Sequence, residues 1–255
     1  MPSAKDHAID LYMTAIRDGR ARDGLNANVG ERYIQHSKGV KDGKAGFLEF
    51  FEPFLERNPV RDMEVIRALQ DGSKVFLHVS QNLNNGEAKW VTADFFESDE
   101  AGKIVEHWDV ITPFRVSERS GRSNVDGEKT LKDFERTEEN KSLVADFVEK
   151  VLVGEKVAEL SRYVSGDSYV DHCSEVENSI LAPDSRLESR ALRYDELFML
   201  VGEGNFVATL CRASTDGRPL CQADVFRVDA GKIVEHWAHC EAIPPKAEWA
   251  NSGKF

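Results

Sequence analysis

Nothing in this sequence approaches the roughly 18 consecutive apolar residues of a membrane-spanning helix, so a helical membrane protein is excluded. Basic residues are in the minority: 33 Lys and Arg stand against 45 Asp and Glu, a formal charge of -12 at pH 7. Phosphate backbones are held by clustered cations, and no basic stripe is present, so nucleic acid is not an expected partner. Cysteine is scarce. Cys173, Cys211, Cys221 and Cys240 all lie in the second half and show no C-x-x-C spacing, which argues against a zinc knuckle or a redox pair. Cys211 and Cys221 flank the turn "TDGRP", but reduced thiols suit a cytoplasmic chain better than a disulfide. The opening "MPSAKDHAIDLYMTAI" shows no basic region followed by an unbroken apolar segment, so no secretory signal is expected and a cytoplasmic location follows by default.

What the chain does have is a repeat. "GKIVEHW" occurs at Gly102 to Trp108 and again at Gly231 to Trp237, followed first by Asp109 and then by Ala238. A period near half of 255 residues implies two domains of the same plan, each long enough for its own core. The expected boundaries are residues 1–116, a polar linker at 117–128 ("SERSGRSNVDGE") and residues 129–255.

In the first copy Ile9, Tyr12, Met13 and Ile16 recur at helical spacing, predicting a helix over 5–18, with a short second helix over 20–28. "YIQH" reads as a brief extended piece. Phe47, Phe50, Phe51, Phe54 and Leu55 share a helical face that Pro53 is expected to kink or shorten. After Pro59 the period becomes two, with Met63, Val65, Arg67 and Leu69 on one face. Turns at Asp71-Gly72 and Asn85-Gly86 complete a four-stranded antiparallel meander. In the second copy Leu143, Phe147, Val148 and Val151 mark a helix, "YVDH" answers "YIQH", and "ADVF" answers "ADFF". The fold class is α+β: helices followed by a curved sheet, twice.

On the last strand His107 and Asp109 share a face, and Trp108 points the other way. An imidazole beside a buried carboxylate is an acid/base pair that its surroundings can tune toward neutrality. The plainer alternative is a hydrogen-bonded or solvated Asp109 at the strand end and a satisfied core His107. His36 ends "YIQH", and His78 interrupts the apolar run "KVFLHVS", where an unpaired ring is costly. We assign Asp109, His78 and His36 to catalysis, and His107, Phe76 and Asp94 to substrate binding. Asp94 has a counterpart in Asp224, and retention in both copies favours a structural hydrogen bond over a functional role for it. His36, His78, His107 and Asp109 are metal-ligand types, but without compact spacing no metal is expected. Trp108 and Trp237, on the parity opposite the pocket, suggest two sheets packed face to face as an intramolecular pseudo-dimer. Further self-association is left open.

"YIQH", "GVKDGKAGFLEFF" and the final "GKIVEHWD" together resemble the SnoaL-like branch of the nuclear-transport-factor-2-like superfamily, over residues 5–115 and more weakly over 138–245. The resemblance implies two cone-shaped α+β barrels, each enclosing an apolar cavity. It also implies acid/base chemistry by a cavity carboxylate, here Asp109, without metal or organic cofactor. In the second copy Ala238 replaces that carboxylate, Thr209 is aligned with His78, and His239 is one residue out of phase. The leading expectation is an enzyme acting on a small, largely apolar carbonyl compound in the first cavity. A non-catalytic binder of a small apolar molecule, or a structural pseudo-dimer with vestigial pockets, are the alternatives.

Overall fold

The computed structural model describes residues 1–118, 120–166, 168–173 and 192–255. It divides into two compact units, Met1–Pro113 with Pro244–Phe255, and Phe114–Ile243. The division departs from the one expected. The last residues belong to the first unit, and the segment read as a linker belongs to the second.

In the first unit α1 (Ala4–Asp10) starts at a capping box, Ser3 accepting from the Asp6 amide while the Asp6 carboxylate accepts from that of Ser3. The helix widens into π-helical turns over Leu11–Arg17. α2 (Ala21–Asn28), β1 (Val29–Gln35) and α3 (Gly43–Arg57) follow. Pro53 does not shorten α3: the carbonyl it leaves unpaired belongs to Glu49, on the exposed side of the helix. β2 (Arg61–Asp71), β3 (Lys74–Leu83), β4 (Ala88–Ser98) and β5 (Ile104–Pro113) form the antiparallel meander. β1 adds to it as a fifth strand, parallel to β5, so the sheet runs β1-β5-β4-β3-β2. A bulge between Val65 and Arg67 inverts the facing of β2, so Val65 and Ala68 pack with the helices while Arg67 turns to the other face. Leu11, Leu25, Tyr33, Phe47, Leu77 and Phe96 make the core between helices and sheet.

The second unit repeats the plan. α4 (Thr137–Phe147) also continues into π-helical turns, over Val148–Val153, and a short α5 (Leu160–Tyr163) follows. β6 (Val170–Asp171), β7 (Leu192–Glu203), β8 (Phe206–Thr215), β9 (Arg218–Asp229) and β10 (Lys232–Ala242) form a sheet of order β6-β10-β9-β8-β7. Among the described residues no helix is long and apolar enough to cross a membrane. All four cysteines are free thiols.

The structure explains nearly every residue of the repeated heptapeptide. Gly102 and Gly231 hold left-handed turns at φ 80° and 73°. Lys103 donates to the Ala27 carbonyl at the end of α2, and Lys232 to those of Ser161 and Arg162 in α5, closing helix C-termini. Ile104 and Ile233 are fully buried core residues. Glu106 and Trp108 grip His36, whose Nε2 lies 2.9 Å from Glu106 Oε1 and whose ring stacks on the indole at 4.6 Å. Glu235 and Trp237 grip His172 in the same way, at 2.8 Å and 4.7 Å. His107 and His236 each place Nε2 on a buried Asp, Asp94 at 3.0 Å and Asp224 at 2.8 Å.

Candidate functional site

Between the helices and the concave face of the first sheet lies a cavity of about 310 Å³. Its wall is mainly apolar, with Leu11, Ile16, Phe47, Phe51, Phe54 and Phe96 from helices and strands. Phe50, Trp90 and Ile111, which also line it, are large apolar side chains left exposed. Such an opening suits an apolar molecule rather than a charged one.

The polar groups are few and concentrated on adjacent strands. Asp94 of β4 and Asp109 of β5 are direct cross-strand partners, and both line the cavity while almost fully buried. Asp109 Oδ2 accepts from the Ser37 hydroxyl at 2.5 Å, and Oδ1 from Lys254 Nζ at 2.8 Å. Burial pushes its carboxyl upward, but the Lys254 ammonium, His107 and the Ser37 hydroxyl outweigh this and hold it below the usual carboxylate value. Asp94 goes the other way. Its burial, the largest influence, exceeds the pull of its bond to His107 and is reinforced by the Asp109 charge. Two neighbouring carboxyls are thus shifted in opposite directions by their surroundings.

Asp94 also ends a hydrogen-bond chain. Gln81 Nε2 donates to the Tyr12 hydroxyl at 2.6 Å, the Tyr12 and Thr92 hydroxyls share a hydrogen bond at 2.9 Å, and Thr92 donates to Asp94 Oδ2 at 2.5 Å. On its other side His107 Nδ1 meets Gln35 Oε1 at 3.0 Å. Burial, then the Asp94 charge, raise the Tyr12 phenol well above its ordinary value, so it stays a neutral donor.

The residues assigned from sequence therefore separate into two groups. Asp109, His107 and Asp94 converge on the cavity. His78, His36 and Phe76 do not line it. His78 is fully buried on the opposite face of the sheet, where Arg67 donates to its Nδ1 at 3.0 Å. Strand parity sends Phe76 to that same face, against Phe95 at 4.9 Å. His36 is held by Glu106, Trp108 and the Gly253 carbonyl, and His172 is clamped in the same way in the second unit.

Tyr12, Ser37, Thr92 and Lys254 were not singled out from the sequence. Tyr12 sits in an amphipathic helical pattern that reads as plain core, and Ser37 lies one residue beyond "YIQH". Nothing in the sequence pattern links Lys254 to Asp109.

In the second unit Ala238 pairs with Asp224 as Asp109 pairs with Asp94, so Ala238 does occupy the carboxylate position. The register corrects the alignment of Thr209. It opposes Asp224 as Leu77 opposes Asp94, which puts Leu210 at the place of His78.

Residues 9–107, within the first unit, match the model of the SnoaL-like domain. A SnoaL-like polyketide cyclase from Agrobacterium tumefaciens is 15% identical, with 44% of this chain and 93% of that one covered, at a TM-score of 0.37. An uncharacterised cystatin-fold protein from Novosphingobium aromaticivorans is 14% identical, with 43% and 99% covered, at 0.38. No curated protein matches the chain.

Proposed function

We propose that the first unit is a cofactor-free acid/base enzyme of the SnoaL-like type, acting on a small, largely apolar carbonyl compound bound in its cavity. One observation carries the reading: Asp94 and Asp109 face each other across two strands in an apolar cavity with their proton affinities driven apart. Asp109, kept ionised, takes a proton from the carbon next to the substrate carbonyl. Charge then develops on the carbonyl oxygen, and the neutral hydroxyl of Tyr12, whose proton is directed at Thr92, turns to supply a hydrogen bond to it. Asp109 then returns that proton, to another carbon in an isomerisation or to the new alkoxide in a cyclisation, while the His107–Asp94 pair fixes the polar wall.

A second reading is a binding module without turnover. It is favoured by the engagement of both Asp109 oxygens, one by Ser37 and one by Lys254. Screening small apolar carbonyl and epoxide compounds for binding and for turnover separates the two. The enzyme reading requires that Asp109→Asn keep binding and lose turnover. Ligands that bind wild type and variant alike and are never converted would establish the binder instead.

A further inference from the structure

We propose that the second unit carries a site for a thiophilic divalent transition metal, of which zinc is the type, held by Asp171 Oδ1, Cys173 Sγ and His236 Nδ1. The three donor atoms lie within 4.8 Å of one another. Cys173 Sγ is 3.5 Å from His236 Nδ1, and Asp171 Oδ1 is 4.0 Å from the same nitrogen. A tetrahedral zinc with bonds of about 2.3 Å to sulfur and 2.0–2.1 Å to nitrogen sets those two ligands roughly 3.5 Å apart. The sulfur and nitrogen already stand at that span. The carboxylate, whose Oδ1 also accepts from the Cys173 amide at 2.8 Å, must close by roughly half an ångström to reach its own zinc-bound position.

What surrounds the imidazole supports a ligand role. His236 Nε2 donates to Asp224 Oδ1 at 2.8 Å, which leaves Nδ1 to face the thiol and the carboxylate. Asp224 is itself fixed by the Tyr194 hydroxyl at 3.1 Å and Gln222 Nε2 at 2.9 Å. A carboxylate behind a histidine is the usual means of orienting a metal-bound ring.

The two units differ at the positions that surround this imidazole. Gln35 and Asp171 occupy the same register beside His107 and His236. Two residues further on, Ser37 stands in the first copy and Cys173 in the second. In the first copy the ring Nδ1 meets an amide oxygen, and the nearby Asp109 already holds the Lys254 ammonium. The second unit, with Ala238 at the carboxylate position, thus has a thiol and a carboxylate on the far side of the same imidazole. Soft sulfur with nitrogen and one oxygen suits zinc or cobalt, not magnesium or calcium. On binding, the Cys173 S–H bond breaks, the sulfur keeps the electron pair as the metal–sulfur bond forms, and the proton leaves to solvent.

The test is a titration of the full chain, freed of metal by a chelator, with Co²⁺ and then with Zn²⁺ in competition. One equivalent of cobalt is expected to give a thiolate-to-cobalt charge-transfer band with the strong visible bands of four-coordinate cobalt, both removed by zinc. Cys173→Ser should abolish the charge-transfer band and Cys240→Ser should retain it. Asp224→Asn should weaken cobalt binding about 10- to 100-fold. X-ray absorption at the zinc edge of the wild-type protein avoids any folding defect of a variant, and one sulfur neighbour is expected. A titration without the charge-transfer band, a band that survives in Cys173→Ser, or a zinc shell without sulfur would overturn the proposal. None of these readouts depends on a substrate of the first cavity.

Discussion

Lys254 places its ammonium 2.8 Å from Asp109 Oδ1, joining residues 145 apart in sequence. The pair is almost completely buried, at 7% and 5% side-chain exposure. Breaking such a pair from one side leaves an uncompensated charge and costs about 3–5 kcal/mol. Lys254→Met is therefore expected to lower stability by that order at neutral pH. Asp109→Asn combined with Lys254→Met, which removes both charges, should recover most of the loss. Denaturant melts of the three proteins check it, and a double variant no more stable than Lys254→Met would contradict it.

The same pair gives a pH dependence of defined sign. In the wild type the folded-state pKa of Asp109 is depressed. Its stabilising contribution is present above the ordinary carboxylate value, near 3.9, and is lost as pH falls through the lower folded value. With Lys254 removed, burial remains and lifts the folded pKa above the unfolded one. Asp109 then destabilises the fold at neutral pH, and protonation relieves it. The gap in unfolding free energy between wild type and Lys254→Met should be widest near neutrality and narrow in acid. Where turnover can be followed, the acid limb of the rate profile should move to higher pH.

Asp109→Asn should reduce turnover by about a hundredfold or more, since an acid/base group ordinarily contributes at least that much. Ala238→Asp should not create a second active copy. It would set a new carboxylate directly opposite the fully buried Asp224, so the expected result is a lower melting temperature without added activity. Comparing rates per folded molecule checks both.

His36→Ala and His172→Ala should each cost about 1–3 kcal/mol through loss of a buried hydrogen bond and ring stacking. The two losses should be similar because the clamps are the same. Any change in turnover by His36→Ala should follow the folded fraction. A rate loss in fully folded His36→Ala comparable to that of Asp109→Asn would restore a catalytic role.

Trp90→Ala and Phe50→Ala, at the exposed edge of the cavity, should raise KM for an apolar substrate several-fold and leave kcat nearly unchanged. Their contacts act on the bound substrate and its transition state alike.

Strand parity was enough to put His107 and Asp109 on one face and Trp108 on the other, because a side-chain period of two is rigid within an unbroken strand. It failed at β2, where the bulge at Val65 reversed the facing of Arg67. It also said nothing of which face of β3 meets the helices. His78 was expected in the pocket because a polar residue in an apolar run needs a partner, and that partner is Arg67 behind the sheet. The repeat located Asp109, but its residues proved to serve turns, helix ends and histidine clamps in both copies. Lys254 lay beyond reach because long-range ion pairs leave no periodic trace.

The return of Pro244–Phe255 to the first unit sets an order of events during synthesis. When the ribosome has completed β5, the strand carrying Asp109 exists but its counter-charge does not. Lys254 follows Asp109 by 145 residues, which at about 5–20 residues per second is a delay of roughly seven to thirty seconds. Throughout that interval the nascent first unit must keep Asp109 hydrated or protonated. Its cavity reaches its final electrostatic state only after the second unit has been made.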